Sequence, residues 1–319
     1  MTLEQHKINS GFGFSSTADE VLAGIDLTGK TAIVTGGYSG IGYETTAALS
    51  KAGATVIVPA RRLTVAQDAL REIDRTEVQT MDLGDLDNVK EFAESFLASG
   101  RKLDIVINNA GIMACPETPV CPGWEAQFAT NHLGHFTLVN WLKPALAEQS
   151  RVVALSSTGH FRSPIRWDDV QFQDGYDRWE AYGQAKTANA LFALHLNKLG
   201  AESGLQAFSV NPGGIFTPLQ RHLSQQDQIE LGWLNPDGSP SELAATAFRS
   251  PAQGAATTVW TAASSQLAGL GGVYCEDSDV AEPAVEGGPR SGVKAGASDP
   301  EPAQRLWDLS AELTGVSVF

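Results

Sequence analysis

Six short, β-branched apolar runs alternate with longer stretches of helical spacing, and this alternation limits the fold of the chain more than any other feature. The runs are residues 31–35 (TAIVT), 55–59 (TVIVP), 77–81 (EVQTM), 104–108 (DIVIN), 151–156 (RVVALS) and 206–210 (QAFSV). Between them, segments 41–52, 63–74, 87–99, 124–148 and 180–200 carry helix formers at helical spacing. The runs read as buried strands, and parallel strands can be joined only by long crossovers. The pattern predicts an α/β fold, a doubly wound parallel sheet with helices on both faces.

Two ends lie outside the alternation. Residues 1–28 form an N-terminal extension, in which Ser16-Thr17 ahead of Asp19-Glu20 predicts a short capped helix. Residues 29–279 form the main domain, and 280–319 a C-terminal tail. The Pro-, Gly- and Glu-rich stretch 280–302 predicts an irregular excursion rather than packed core. A short helix over Ala303–Leu313 should follow, anchored by Leu306, Trp307 and Leu309.

Composition narrows the partners. With 42% hydrophobic and 18% charged residues among 319, the chain reads as globular. No apolar run approaches the roughly 20 residues of a membrane helix, and the first 25 residues lack a basic head followed by an apolar block. Its 37 acidic and 22 basic residues leave a net charge of −15, which repels phosphate backbones. No nucleic acid or membrane partner is expected. Cys115, Cys121 and Cys275 are too few for a disulfide framework, and Cys115 and Cys121 lack zinc-ligand spacing. No metal is expected, and the compartment reads as reducing and cytoplasmic.

Thr35-Gly36-Gly37-Tyr38-Ser39-Gly40-Ile41-Gly42 follows the first run and opens a helix. Glycines let backbone approach a pyrophosphate closely, and the helix N-terminus offers it free N–H groups and a positive dipole end. A glycine-rich turn alone is equally an ordinary loop; its place between strand and helix points to a dinucleotide. The spacing T-G-x-x-x-G-x-G is joined by Asn108-Asn109-Ala110-Gly111 after the fourth run and Ser156-Ser157 after the fifth. Tyr182-x-x-x-Lys186 and Asn211-Pro212-Gly213 complete the set. In this order the motifs resemble the short-chain dehydrogenase/reductase family, over about residues 28–275.

The resemblance implies a single Rossmann-type catalytic domain over 29–279 and hydride transfer between a nicotinamide dinucleotide and a carbonyl or alcohol. It places Gly36, Tyr38, Ser39, Gly40, Ile41 and Gly42 around the cofactor, with Asp82-Leu83 at the adenine. Asn109, Ala110 and Gly111 should line it, and Pro212, Gly213 and Thr217 should embrace its nicotinamide end. At the end of the second run an acid would bind the ribose 2′-OH of NAD, whereas arginine suits the 2′-phosphate of NADP. Ala60 occupies the acidic position and Arg61-Arg62 follow, which favours NADP(H) over NAD(H). The plainer alternative is that these arginines start a solvated helix.

Hydride transfer to a carbonyl leaves negative charge on oxygen, so the site needs a proton donor and fixed hydrogen-bond donors. Tyr182 and Lys186, four residues apart, share one helix face. A free tyrosine titrates near 10; the ammonium and an oxidised nicotinamide should lower Tyr182. Lys186 should also bond the nicotinamide ribose. The family resemblance gives Ser157 the substrate oxygen, with Ser156 as the alternative and a plain strand-end turn as the structural reading. It likewise gives Asn131, in Asn131-His132-Leu133-Gly134, a helix kink and a proton-relay water, although a buried polar role fits equally. Tyr176 competes with Tyr182, but Glu180 four residues on should raise its pKa. His132, His135, His160 and His195 read as packed or solvated, and Trp167-Asp168-Asp169 as a loop anchor with charges outward.

The long Ser–Tyr interval resembles the retinol-dehydrogenase-like and protochlorophyllide-reductase-like branch. Its extra segment, Thr158–Glu180, holds Phe161, Ile165, Trp167, Phe172 and Trp179, expected to wall the substrate. With Leu219, Leu223, Leu231 and Trp233 they favour a bulky apolar small-molecule carbonyl or alcohol. The alternative is that these aromatics only pin loops to the core. Other functions fit less well. A non-catalytic NADP(H)-binding regulator predicts decay of the serine, tyrosine or lysine, and all are present. An extended-branch epimerase or dehydratase would carry T-G-x-x-G-x-x-G. A membrane-associated reductase would show an apolar or basic amphipathic anchor at one end. A homo-oligomer is left open.

Overall fold

Successive strand residues feed two separate cores, and that split builds the layers. In the computed structural model, which describes residues 5–120 and 122–319, Ala32 and Val34 enter one core while Ile33 enters the other. Val56, Val58, Ile105, Ile107, Val153, Phe208 and Val210 join the first core; Ile57, Val106, Val152 and Ala207 join the second. Side chains alternate across a strand, so runs apolar at every position demand a helical layer on each face.

The chain runs α1 (Ala18–Val21), β1 (Thr31–Val34), α2 (Gly40–Lys51), β2 (Thr55–Ala60), α3 (Leu63–Leu70), β3 (Thr76–Thr80), α4 (Leu86–Ala98) and β4 (Leu103–Asn108). A small hairpin, β5 (Pro119–Val120) and β6 (Trp124–Glu125), leads into α5 (Ala126–Phe128), α6 (Gly134–Leu142) and β7 (Leu146–Leu155). Then come α7 (Arg178–Leu199), β8 (Gln206–Asn211), α8 (Gln225–Glu230), α9 (Glu242–Ala247) and α10 (Pro251–Ala263). The chain closes with β9 (Tyr274–Glu276), β10 (Asp279–Val280) and α11 (Pro300–Thr314). The main sheet has the order β10-β9-β8-β7-β4-β1-β2-β3, parallel except for β10. Chain progression reverses at the β1/β4 pair, which opens a crevice beyond their carboxyl ends where ligands bind in such sheets. Helices α1, α2 and α10 cover one face; α4, α6, α7 and α11 cover the other.

Three segments differ from the sequence expectation. The helix read over 124–148 is broken: β6 opens it, a π-turn at Ala129–Leu133 interrupts it, and Pro144 ends it in the short turn Lys143–Ala145. Strand β7 therefore starts at Leu146, earlier than residue 151, and a register shift between Leu103 and Ile105 absorbs its polar start. Strands β9 and β10, three and two residues long, carry too short a pattern to read. The stretch 280–302 is irregular but is not all outside the core. Val280, Ala281, Val293 and Ala297 are buried, the last three packing with Ala190 and Tyr274.

Both ends are fastened. Thr17 and Glu20 form a capping box on α1. The Asp279 carboxylate accepts from the backbone N–H groups of Ile8 (2.9 Å) and Ser10 (3.2 Å), tying residues before α1 to β10. On α11, Leu306 and Trp307 are buried as anchors whereas Leu309 is only half-buried. Trp307 stacks on Phe192 at 5.8 Å and meets Phe136 edge-on at 4.8 Å, so the terminal helix completes the second core.

Candidate active site

The crevice is a cavity of about 1140 Å³ lined by the carboxyl ends of the parallel strands and the loops that follow them. On its cofactor side the wall is mostly main chain. Gly36 has φ +64°, a left-handed conformation that glycine adopts freely. A Cβ on Gly42 would collide with the Gly36 carbonyl oxygen and lie 2.6 Å from Asn109 Nδ2. Ser39 caps α2 with no side-chain bond, leaving its hydroxyl and the first N–H groups of the helix facing the turn. Thr35 Oγ1 accepts from the N–H groups of Asn109 and Ala110, both at 2.9 Å, which locks the β1 and β4 turns together. This cradle of close backbone and free helix N–H groups fits a dinucleotide pyrophosphate.

Gly36, Tyr38, Ser39, Gly40, Ile41 and Gly42 all line the cavity, as do Asn109, Ala110 and Gly111. Arg61 and Arg62 reach it from the end of β2, with Arg61 Nη1 3.9 Å from the Asp82 carboxylate. Asp85, not Asp82, caps α4, through the N–H groups of Asp87 and Asn88. Asp82 and Leu83 are thus left facing the cavity, and Pro212, Gly213 and Thr217 close its other side.

Asp177 caps α7 by accepting from Trp179 and Glu180 N–H at 2.8 Å each, which fixes the helix that carries Tyr182 and Lys186. Both side chains line the cavity yet are only 4% and 5% exposed. Burial pushes the Tyr182 phenol up to about 12, while the neighbouring Ser157 hydroxyl works the other way. Burial also lowers the Lys186 ammonium to about 8. Lys186 Nζ donates to the Leu155 carbonyl (2.9 Å) and lies 5.5 Å from the Tyr182 ring centre. With the protein alone, Tyr182 lies above its free value rather than below, because burial outweighs its neighbours.

The two serines have separate employment. Ser156 Oγ donates to the Lys186 carbonyl (2.7 Å) and holds α7 against β7. Ser157 Oγ accepts from Gly159 N–H (3.0 Å) and meets Tyr182. The Ser157 carbonyl accepts from His160 Nδ1 (2.6 Å) and the Tyr274 hydroxyl (3.3 Å). With Nδ1 donating, His160 Nε2 accepts from Lys294 N–H (3.3 Å), so this histidine is neutral and supports the serine turn. Burial lowers its pKa to about 4. No motif marks His160, which is why sequence reasoning found no job for it beyond packing.

Asn131 sits in the π-turn with no exposed surface. Its amide is spent on one residue: Oδ1 accepts from Ile112 N–H and Nδ2 donates to the Ile112 carbonyl, both at 2.9 Å. Its own carbonyl accepts from His135 Nδ1 (3.0 Å). The side chain therefore clamps the segment after Gly111. Tyr176 is turned away from α7, donating to the Cys115 carbonyl (2.9 Å) and accepting from Gln127 Nε2 (3.0 Å). Its pKa is raised, but by burial, Cys115 and Glu125 rather than by Glu180, which lies near Arg166 instead.

On the substrate side only part of the expected wall is present. Trp179, Leu219, Leu231, Trp233 and Met113 line the cavity, with Trp179 edge-on to both Tyr182 (6.4 Å) and Trp233 (6.3 Å). Leu223 packs behind them. Phe161, Ile165, Trp167 and Phe172 do not line the cavity. Phe161 lies tilted against His160, Ile165 and Trp167 pack with Leu306, and Phe172 lies under Arg166. They pin the 158–176 loop to the core. Asp169 braces that loop, contrary to the outward-charge expectation: it accepts from Arg166 Nη2 (2.9 Å) and Gln173 N–H (2.7 Å). Sequence reasoning also missed Phe14, Arg249, Arg290 and Ser291, which line the cavity from segments outside every motif. Among the described residues no cluster could hold a metal ion; Cys121 lies outside them.

Comparison with known proteins identifies the class that this site belongs to. The family model of short chain dehydrogenases matches residues 30–228. The chain is 39% identical over 302 residues to short-chain dehydrogenase/reductase prx1 of Penicillium roqueforti, covering 92% of this chain and 87% of that one. It is 35% identical to mouse (Mus musculus) retinol dehydrogenase 12, covering 92% and 88%. A crystal structure of an uncharacterised protein from Mycobacterium paratuberculosis superposes with a TM-score of 0.72 at 31% identity, covering 96% and 99%. The chain belongs to the short-chain dehydrogenase/reductase family and is an oxidoreductase, with relatives in the retinol-dehydrogenase-like branch.

Proposed function

We propose that the protein interconverts a bulky, largely apolar ketone or aldehyde and its alcohol, using NADP(H), with Tyr182 as proton donor and acceptor. The observation that carries this reading is the convergence of Tyr182, Ser157 and Lys186 on one wall of the cavity, beside the glycine cradle. When bound, the dinucleotide supplies or takes the hydride. Every proton event falls to the chain itself. A phenol held up at about 12 is protonated at neutral pH and ready to donate to the oxygen of a reacting carbonyl. Ser157 holds that oxygen and stabilises the charge that develops on it. Lys186, lowered to about 8 but still largely an ammonium at pH 7, keeps a fixed positive charge behind the phenol and favours its deprotonation in the reverse direction. Asn131 holds the segment after Gly111 through both backbone groups of Ile112, and sits in the helix break where the family resemblance places a proton-relay water.

Cofactor choice rests on Ala60, where no carboxylate is available for a ribose 2′-OH, and on Arg61 and Arg62 at the cavity edge. Substrate size rests on Trp179, Trp233, Leu219 and Leu231, which give the site an apolar side. The retinol of the mouse relative's name, a bulky apolar alcohol, agrees with that wall. The test is NADPH and NADH oxidation against aryl or long-chain ketones and aldehydes, with acetone and pyruvate as small comparators. NADPH oxidation that rises with apolar bulk supports the reading. Preference for NADH, or equal turnover of pyruvate and an aryl ketone, overturns the corresponding part.

A further inference from the structure

Arg221 belongs to no motif, yet it lines the same cavity as Arg61 and Arg62 although it is far from both in sequence. It lies on the turn Pro218–His222 that follows β8. That turn is internally braced: Gln220 Oε1 accepts from Thr217 N–H (2.7 Å), and Gln220 Nε2 donates to the Ile215 carbonyl (2.7 Å). It also rests directly on the glycine loop, for a Cβ on Gly40 would lie 3.1 Å from Thr217 Cβ and 3.8 Å from Pro218 Cδ. The brace and the contact hold Arg221 in the wall of the cavity that Tyr38, Arg61 and Arg62 also line.

We infer that Arg221 is a third arm of the 2′-phosphate site, supplied by the turn that follows β8. The inference rests on the NADP(H) reading and goes beyond it, since it assigns recognition to a loop that also walls the substrate. Electrostatics support it. In a chain of net charge −15, three guanidinium groups line one cavity, with Arg221 close enough to Arg61 and Arg62 to be repelled by both, and among the described residues the carboxylate paired with them is Asp82, 3.9 Å from Arg61. Arg221 is held below its ordinary range first by burial and then by repulsion from Arg61. A phosphate dianion between the arms turns those repulsions into attractions, and charge-assisted bonds to phosphate are the strong ones. Arg221 spends an N–H on the Pro218 carbonyl (3.2 Å), which aims the guanidinium without using up its donors.

Titration of wild type, Arg221→Ala and Arg61→Ala with 2′,5′-ADP and with 5′-AMP tests this without turnover. Arg221→Ala should weaken 2′,5′-ADP about tenfold or more and leave 5′-AMP within about twofold, because only the former carries the phosphate. Hydrogen exchange over residues 217–231 should slow when 2′,5′-ADP binds wild type, and this protection should vanish in Arg221→Ala. Equal weakening of both nucleotides makes Arg221 structural and overturns the inference. If Arg61→Ala loses the discrimination and Arg221→Ala keeps it, the third arm is wrong while the NADP(H) reading stands. If wild type binds both probes equally, the NADP(H) reading fails and the arm falls with it.

Discussion

Around the dinucleotide the cavity wall is main chain on short turns; around the substrate it is side chains on long loops. Thr35–Gly42 and Asn109–Gly111 are held by Thr35 and Asn109, which bond backbone directly across β1 and β4. Trp179, Leu219, Leu231 and Trp233 instead depend on α7, α8 and the loops between them, joined by the Arg178–Asp227 ion pair. The first half is rigid because its spacing allows almost no side chain. The second can change its shape by changing one residue. Binding of the dinucleotide by the glycine cradle and choice of the substrate are thus separable in this molecule, with the Pro218–His222 turn the one element that serves both, and substitutions should show it.

The sharpest break is Gly42→Ala. A methyl group there meets the Gly36 carbonyl and Asn109, so the cradle must open. NADPH and NADH affinity should fall together, roughly 100-fold, within the 1–3 kcal/mol typical of overpacking. Calorimetric titration checks it, and a change confined to particular substrates would contradict the separation.

Lys186→Met should abolish most activity and yet stabilise the fold. A buried ammonium lowered from 10.5 to about 8 opposes folding by roughly 3 kcal/mol at neutral pH. The Leu155 carbonyl keeps a donor in Asn189 Nδ2 (2.9 Å) after the change. Because the folded pKa lies below the unfolded one, the wild type gains stability as pH rises from about 8 towards 10.5. The advantage of Lys186→Met in urea unfolding should therefore be largest at pH 7 and shrink by about 1 kcal/mol at pH 9. An advantage that grows with pH would reverse the assignment.

Trp233→Ala should leave NADPH affinity unchanged and lower kcat/KM for an aryl ketone about 10- to 100-fold, from the 1.5–3 kcal/mol of one large buried side chain. Acetone should change by less than about twofold. The smallest effect separates wall from anchor. Trp167→Ala should cost about 1–2 kcal/mol of stability, since its ring is only half-buried under Arg305, and should not alter substrate preference. A shift in preference would return Trp167 to the substrate wall.

Legibility in the sequence followed the same division. Most strands of the parallel sheet were readable because residues buried on both faces leave an unbroken apolar run, as at Val56–Val58, whereas β9 is too short to show one. The glycine turn and the Tyr182–Lys186 pair could be placed at one cavity because both follow from local spacing, strand-to-helix turn and one helix face. The broken helix at 124–148 was not legible from periodicity, which registers neither Asn131 nor Pro144; the break at Asn131 was expected only from the family resemblance, which placed a helix kink there. Nor was the use of the aromatics: Trp179 and Trp167 look alike in sequence, and only packing decides which faces the cavity. Arg221 and Phe14 were invisible because their neighbours there come from distant parts of the chain.

The central claim is that Tyr182 moves the proton at a site whose cofactor half works independently of it. The direct measurement is Tyr182→Phe, with NADPH affinity by titration and turnover of an aryl ketone measured on the same preparation. The phenyl ring keeps the edge-on contact with Trp179 and removes only the hydroxyl. Turnover should fall about 10²- to 10⁴-fold while the NADPH Kd stays within about twofold, and Tyr176→Phe should retain most activity. Turnover within a few-fold of wild type, or cofactor binding lost in step with it, would contradict the account.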